Sequence, residues 1–141
     1  MRVSSYGKDR YHRHVTIKQS VDATEPPMAV VVESADTLIP AACLFRSFSD
    51  PNRLVIVQHL LLGEHRVIDL TAHLGLAQST VSAHLARMRD CGLVSVRVKG
   101  RASHYSLVAP ELTRQLLTSA EGLLAATGDA VALCPTSGVD Q

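Results

Sequence analysis

The stretch Val67–Asp90, VIDLTAHLGLAQSTVSAHLARMRD, decides the fold. It holds two helical patterns with a tight break between them. In the first, Ile68, Leu70, Thr71 and Leu74 keep to one face. Gly75 then supplies a residue that takes a left-handed conformation without a Cβ penalty. Leu76 and Ala77 carry the chain across, and Gln78 or Ser79 is the expected cap of the next helix. In that helix Val81, Leu85 and Met88 fall at i, i+4 and i+7, a buried stripe. Ser79, Thr80, Ala83 and Arg87 point the opposite way, with Ser82 and His84 on the flanks. This outward face is small, polar and nearly free of acid. Short side chains let the helix backbone approach another surface, while Gln, Ser, Thr, His and Arg hydrogen-bond to base edges and phosphates. A helix-turn-helix presents its recognition helix to the major groove in this way. An ordinary helical hairpin with a solvated face has the same periodicity, so the flanking segments decide between them.

Downstream, Gly92 is placed to cap the second helix. Leu93, Val94, Val96 and Val98 begin a strand, Lys99-Gly100-Arg101 turns, and Ser103, Tyr105 and Leu107 return on alternate positions. This is a two-stranded hairpin with a basic tip. Following directly on a recognition helix, it has the layout of a wing, with Lys99 and Arg101 laid against phosphates or into the minor groove. Upstream, Leu38, Ile39, Ala42, Phe45 and Phe48 give a helix between Asp36 and Phe48. Ser49 or Asp50 then caps a second helix, with Pro51 in its first turn. Leu54, Val55, Val57, Leu60 and Leu61 continue it to Gly63. Arg53 in that first turn opposes the helix dipole, so it should have a partner, such as an acid on a neighbouring helix. Pro110 to Ala126 forms a last helix carrying Leu112, Leu116, Leu117, Ala120, Leu123 and Leu124. These are more apolar residues than one small domain needs. With the helix near residues 37–48 they make a natural dimer interface, although both helices would also serve to cap a monomer's core. The expected fold is mainly α with a small β-hairpin, a dimeric winged helix-turn-helix over residues 35–127. A flexible basic arm (1–34) precedes it and a flexible tail (128–141) follows.

The 141 residues suffice for one domain with a real core. The formal net charge of +1 gives no global basic signal, so nucleic-acid binding must rest on local charge. The arm is locally basic through Arg2, Lys8, Arg10, Arg13 and Lys18, and suits either a DNA contact or a solvated tail. Met28 is a second candidate start. His12 and His14 have a spacing that fits one metal ion in an extended segment. No run of 18 apolar residues exists, so no membrane span is expected. The first residues lack an apolar signal core, which makes the cytoplasm the default location. Cys43, Cys91 and Cys134 are three scattered cysteines, which argues against a disulfide framework and for free thiols or metal ligands. Cys43 reads as a small buried hydrophobe on the first helix. His59 and His73 read as structural histidines, and His65 and His104 as surface or strand-face residues.

Three segments in this order, FRSFSDPNRLVIVQHLL, DLTAHLGLAQSTVSAHLARMRDCGLV and KGRASHYSL, resemble the ArsR/SmtB family of metal-responsive repressors. The resemblance covers roughly residues 38 to 126. It implies that Gln78, Ser79, Thr80, Ser82 and His84 read DNA. It also implies a homodimer formed through the first and last helices, which leaves double-stranded operator DNA when metal binds. Two sensor locations used in the family are missing here: HRVIDL has no cysteine pair, and APELTRQLLTSAEGLL has no histidine. The chain looks most like the cadmium/lead-sensing branch. That branch places two cysteines four apart at the end of the recognition helix and a third in the partner's tail. Cys91 and Cys134 match the second and third, and Arg87 stands at the first.

The implied effector is a soft divalent ion (Cd, Pb, Zn or Hg) held by Cys91 and Cys134. With Arg87 in place of a thiolate, the three-thiolate site cannot form as the branch builds it. Two thiolates would leave a two-coordinate or water-completed site. Arg87 would then either favour the thiolate form of a neighbouring cysteine or contact a DNA phosphate. Two other readings stand beside the metal sensor. One is a repressor whose cysteines answer to peroxide or electrophiles. The other is a winged-helix protein-interaction module without an operator. Enzyme motifs such as a P-loop, GxSxG or HExxH are absent.

Overall fold

The computed structural model describes residues 33–135. The expected basic arm, with His12 and His14, lies outside the described residues up to position 32, as does the tail from position 136. The chain runs α1 (Ile39–Ser47), α2 (Pro51–Leu62), β1 (His65–Arg66), α3 (Val67–Leu74), α4 (Gln78–Asp90), β2 (Val94–Lys99), β3 (Ala102–Leu107) and α5 (Pro110–Ala126). The strands form one antiparallel sheet in the order β1-β3-β2. β2 and β3 pair from Val94 opposite Leu107 to Lys99 opposite Ala102, and His65 of β1 lies opposite Tyr105. The sequence predicts only the β2–β3 hairpin. β1 is two residues long, too short to show an alternating pattern.

The core draws Ile56, Val57, Leu60 and Leu61 from α2, Leu70 from α3, and Val81, Leu85 and Met88 from α4. Leu93, Val94, Leu107 and Leu117 complete it. The expected stripe of α4 is fully buried, and truncating Leu85 to alanine would cost about 2–5 kcal/mol. Burial of this stripe fixes the roll of α4 and so decides which of its side chains face outward.

The helix ends follow from local chemistry. Asp50, not Ser49, caps α2: its carboxylate accepts from the backbone N–H groups of Asn52 and Arg53 at 2.9 and 3.1 Å. Ser49 instead donates to the Arg46 carbonyl at 2.8 Å. Arg53 is 6% exposed, and its partner is not an acid on another helix but the carbonyl end of α1. Its Nε donates to Ser47 O at 3.0 Å and its Nη2 to Arg46 O at 2.7 Å, placing a cation at a helix C-terminus. Gly75, with φ 65°, ends α3 in the left-handed region. The cap position of α4 is Ala77, which offers no side-chain acceptor; Gln78 already lies inside the helix, and with it Ser79. At the far end the Gly92 N–H donates to Arg89 O at 2.9 Å and the Leu93 N–H to Met88 O at 3.0 Å. This is a Schellman motif that turns α4 directly into β2.

The tail expected to be loose from residue 128 is anchored further along. Gln58 Nε2 donates to the carbonyls of Ala132 and Leu133 at 3.3 and 3.0 Å. Glu121 Oε1 accepts from the N–H groups of Leu133 and Cys134 at 2.6 and 2.7 Å. The hydrogen bond from Cys134, then that from Leu133, holds the Glu121 carboxyl below the usual carboxylate range. Among the described residues no helix is long and apolar enough to cross a membrane.

Candidate nucleic-acid interface and cysteine pair

The outward face of α4 is what its periodicity predicts. Gln78, Ser79, Thr80, Ala83 and Arg87 are exposed, and Ser82 and His84 are half-buried on the flanks. The first turn of α4 carries no acid and the last turn carries Arg87 and Arg89. The small side chains leave the backbone of Ser79 to Ala83 open to close approach. His84 lies within electrostatic range of Asp50, the cap of α2.

The wing is different. A two-residue turn, Gly100-Arg101, joins β2 and β3, with Gly100 at φ 62°. Glu64, just before β1, reaches over to the hairpin and gathers its cations. Its carboxylate accepts from Lys99 Nζ, and from Arg97 Nη2 at 3.1 Å, and lies 3.2 Å from His104 Nδ1. The Lys99 hydrogen bond, opposed by burial and assisted by Arg97, holds the Glu64 carboxyl below its ordinary range. Lys99, expected to be a phosphate contact, is thus tied within the chain. Arg101 at the tip has no ion-pair partner among the described residues.

The cysteines depart furthest from expectation. Cys43 is not a passive core residue. It is disulfide-bonded to Cys91, with S–S 2.00 Å and Cα–Cα 5.7 Å. The Cα separation lies in the usual disulfide range. The pair joins α1 to the C-terminal cap of α4, 48 residues apart. It borders a cavity of about 320 Å3, lined also by Arg46, Ser47, Arg53, Arg87 and Asp90. Cys134 is the free cysteine, half-buried, with its sulfur 3.5 Å from Thr118 Oγ1 and 3.7 Å from the Arg114 carbonyl. With Cys91 oxidised, one thiol per chain remains, so in this state Cys91 and Cys134 do not fit a soft metal ion.

Residues 50–96, which span the second helix, the helix-turn-helix and the start of the wing, match the family model described as "Bacterial regulatory protein, arsR family". The transcriptional regulator CmtR of Mycobacterium tuberculosis is 41% identical over 88 residues, 62% of this chain and 75% of that protein. The chain belongs to the ArsR family. Its class is therefore the DNA-binding transcriptional repressor and not the enzyme. A probable mercury resistance operon repressor of Streptomyces lividans is 39% identical over 71 residues, 50% of this chain and 57% of that repressor's length. Among solved structures, a homodimeric winged helix-turn-helix DNA-binding domain from Mycobacterium bovis superposes with a TM-score of 0.56. It is 26% identical, covering 64% of this chain and 88% of that one.

Within this ArsR-family chain, the exposed residues expected to read DNA fall together on one helix face. Sequence reasoning missed three features that depend on distant parts of the chain meeting. They are the partner of Cys43, the Glu64 cluster, and the convergence of His59, His65 and His73.

Proposed function

We propose that this protein is a cytoplasmic, homodimeric repressor whose hold on operator DNA is set by the oxidation state of Cys43 and Cys91. The observation that carries the reading is the bond from α1 to the end of the recognition helix. Gln78, Ser79, Thr80, Ser82 and His84 would meet base edges and phosphates, and Arg87, Arg101 and Lys99 would meet phosphates. Dimerisation through α1 and α5 is supported by their exposed apolar residues, Ile39, Phe45, Leu112 and Leu123. It is also supported by the similarity to the homodimeric domain from Mycobacterium bovis.

A dimer must set its two recognition helices about 34–36 Å apart, one turn of DNA. If α1 forms the interface, the disulfide fixes the end of α4 relative to that interface. Reduction frees it to adapt. Operator binding is therefore assigned to the reduced dimer and release to the oxidised one. The chemistry balances with a peroxide as oxidant. One cysteine thiolate attacks peroxide oxygen and becomes a sulfenic acid, with hydroxide leaving. The other thiol then displaces water from that sulfur and closes the bond. Arg46, Arg53 and Arg87 line the cavity beside the sulfur atoms, and neighbouring cations favour the thiolate that begins the sequence.

The test is binding to DNA from the protein's own upstream region, before and after treatment with hydrogen peroxide and under strict chelation. Release of at least tenfold, reversed by a dithiol and absent in Cys43→Ser and Cys91→Ser, is expected. Equal affinity of the two redox forms would sink the redox reading. The second reading is the soft-metal repressor. It is supported by the similarity to CmtR and to the mercury operon repressor. Reduced Cys91 and Cys134 of the partner subunit would hold a Cd, Pb, Zn or Hg ion. Metal-dependent release of the reduced protein, lost in Cys134→Ser, would favour that reading instead.

A further inference from the structure

Three imidazoles meet on the side of the domain where the wing joins the helices. His59 comes from α2, His65 from β1 and His73 from α3. One ring nitrogen from each lies within 4.8 Å of those from the other two. The rings of His59 and His73 stack in parallel with centroids 4.6 Å apart, and that of His65 stands edge-on to both. We infer that His59, His65 and His73 form a binding site for one divalent transition-metal ion of the imidazole-preferring kind, such as Zn(II) or Co(II).

Several observations point to this ligand class. Three neutral imidazoles with an open fourth position form a well-known zinc donor set. Nitrogens bound tetrahedrally at 2.0–2.1 Å lie roughly 3.4 Å apart, so the cluster needs side-chain shifts of about 1 Å to close. His73 is exposed and His59 and His65 are half-buried, so none of the three is locked inside the fully buried core. His65 is already set for the task. Its Nδ1 lies 2.9 Å from the Gly63 carbonyl oxygen, which accepts only if Nδ1 carries the proton. That leaves Nε2 with its lone pair, and a carbonyl accepting the second ring N–H is the usual outer partner of a ligating histidine. The adjacent acid, Glu64, is engaged by Lys99, Arg97 and His104, which leaves the fourth position to water. A donor set of nitrogens without sulfur suits Zn(II), Co(II), Ni(II) or Cu(II) better than thiophilic ions.

Such an ion would clamp three elements. His65 sits on the strand that pairs with β3 at the base of the wing, and His73 sits on the first helix of the helix-turn-helix. The ion would fix the wing base against α2 and α3. None of the ligands is a cysteine, so the site stands or falls separately from the redox reading.

The test uses the full-length protein with Cys43–Cys91 closed and Cys134 blocked by alkylation. Co(II) is titrated in, then displaced by Zn(II). One Co(II) per chain is expected, with ligand-field absorption and no thiolate-to-cobalt charge-transfer band. Zn(II) should raise Tm. His59→Gln and His73→Gln should each lower Zn(II) affinity at least tenfold, while His104→Gln leaves it unchanged. His73 is exposed, so its variant should retain the wild-type circular dichroism spectrum even if His59→Gln does not. Absence of any Zn(II)-dependent change in Tm or Co(II) spectrum would overturn the site. So would affinity that survives His73→Gln, which would place the ion elsewhere in the chain.

Discussion

The recognition helix and the wing both carry cations, yet they are held in place by opposite means. α4 is fixed from beneath by Val81, Leu85 and Met88 and at its end by the Cys43–Cys91 bond. Its outward face at the N-terminal end takes no part in that support, so Gln78, Ser79 and Thr80 remain available. The wing has a thin apolar base and is steadied from the side by Glu64, which engages Arg97, Lys99 and His104. Its support consumes the charge that the sequence offers to DNA. Positive residues in a sequence are therefore not equivalent to positive residues free to bind.

The largest effect should come from removing the covalent support of α4. Closing a loop of 48 residues restrains the unfolded chain by about 4 kcal/mol. Oxidised wild type should exceed Cys91→Ser by roughly that amount in chemical denaturation, and reduced wild type should match the variant. If all three unfold alike, the bond does not pin the helix and the contrast with the wing fails. The next effect is on DNA. Thr80→Glu puts a carboxylate on the open face and should weaken operator binding on the order of a hundredfold, with unfolding unchanged.

How much of this contrast could be read from the sequence depends on how far apart in the chain its parts lie. The stripe of α4, the left-handed Gly75 and Gly92, and the basic wing tip are local patterns, and local patterns are legible. The outward residues of α4 followed from its stripe, because a helix with one buried face has only one other face. Cys43 meeting Cys91, Glu64 reaching Lys99, and the histidines of α2, β1 and α3 converging all require the finished fold. No periodicity within a segment records them. Arg53 marks the boundary. Its awkward place in a first turn signalled a partner, but only the packing of α1 against α2 made that partner the carbonyls of Arg46 and Ser47.

Within the wing the contrast can be sharpened residue against residue. Arg101→Ala should weaken binding about tenfold and lower the slope of log K against log salt by about 0.9, one phosphate contact. Lys99→Ala should cost less than threefold, because the lysine must first leave Glu64. Glu64→Gln should raise non-specific affinity by freeing Arg97 and Lys99, at the expense of wing order. Salt-dependent fluorescence anisotropy separates these outcomes. Equal losses for Lys99→Ala and Arg101→Ala would mean that DNA displaces Glu64 without cost.

The smallest effect concerns the start of α3, between the two regions. Asp69 accepts from Arg66 through Nε at 3.0 Å and Nη2 at 2.8 Å, and from the Arg66 backbone N–H at 3.2 Å. The side-chain hydrogen bonds from Arg66, followed by that from its backbone, lower the Asp69 pKa from 3.8 to about 2. A carboxyl whose folded pKa lies below its unfolded value binds fewer protons folded than unfolded. Its contribution is complete above the unfolded pKa and fades as pH falls from about 4 toward 2. The pair is exposed to solvent, so the change in stability is small and salt-sensitive. The carboxyl carbon of Asp69, followed by NMR, should titrate with a midpoint near 2. Arg66→Ala should return it toward 3.8 while leaving the wing's response to salt untouched. A midpoint near 3.8 in the wild type would show that the pair does not persist in solution, and that β1 enters α3 without this electrostatic cap.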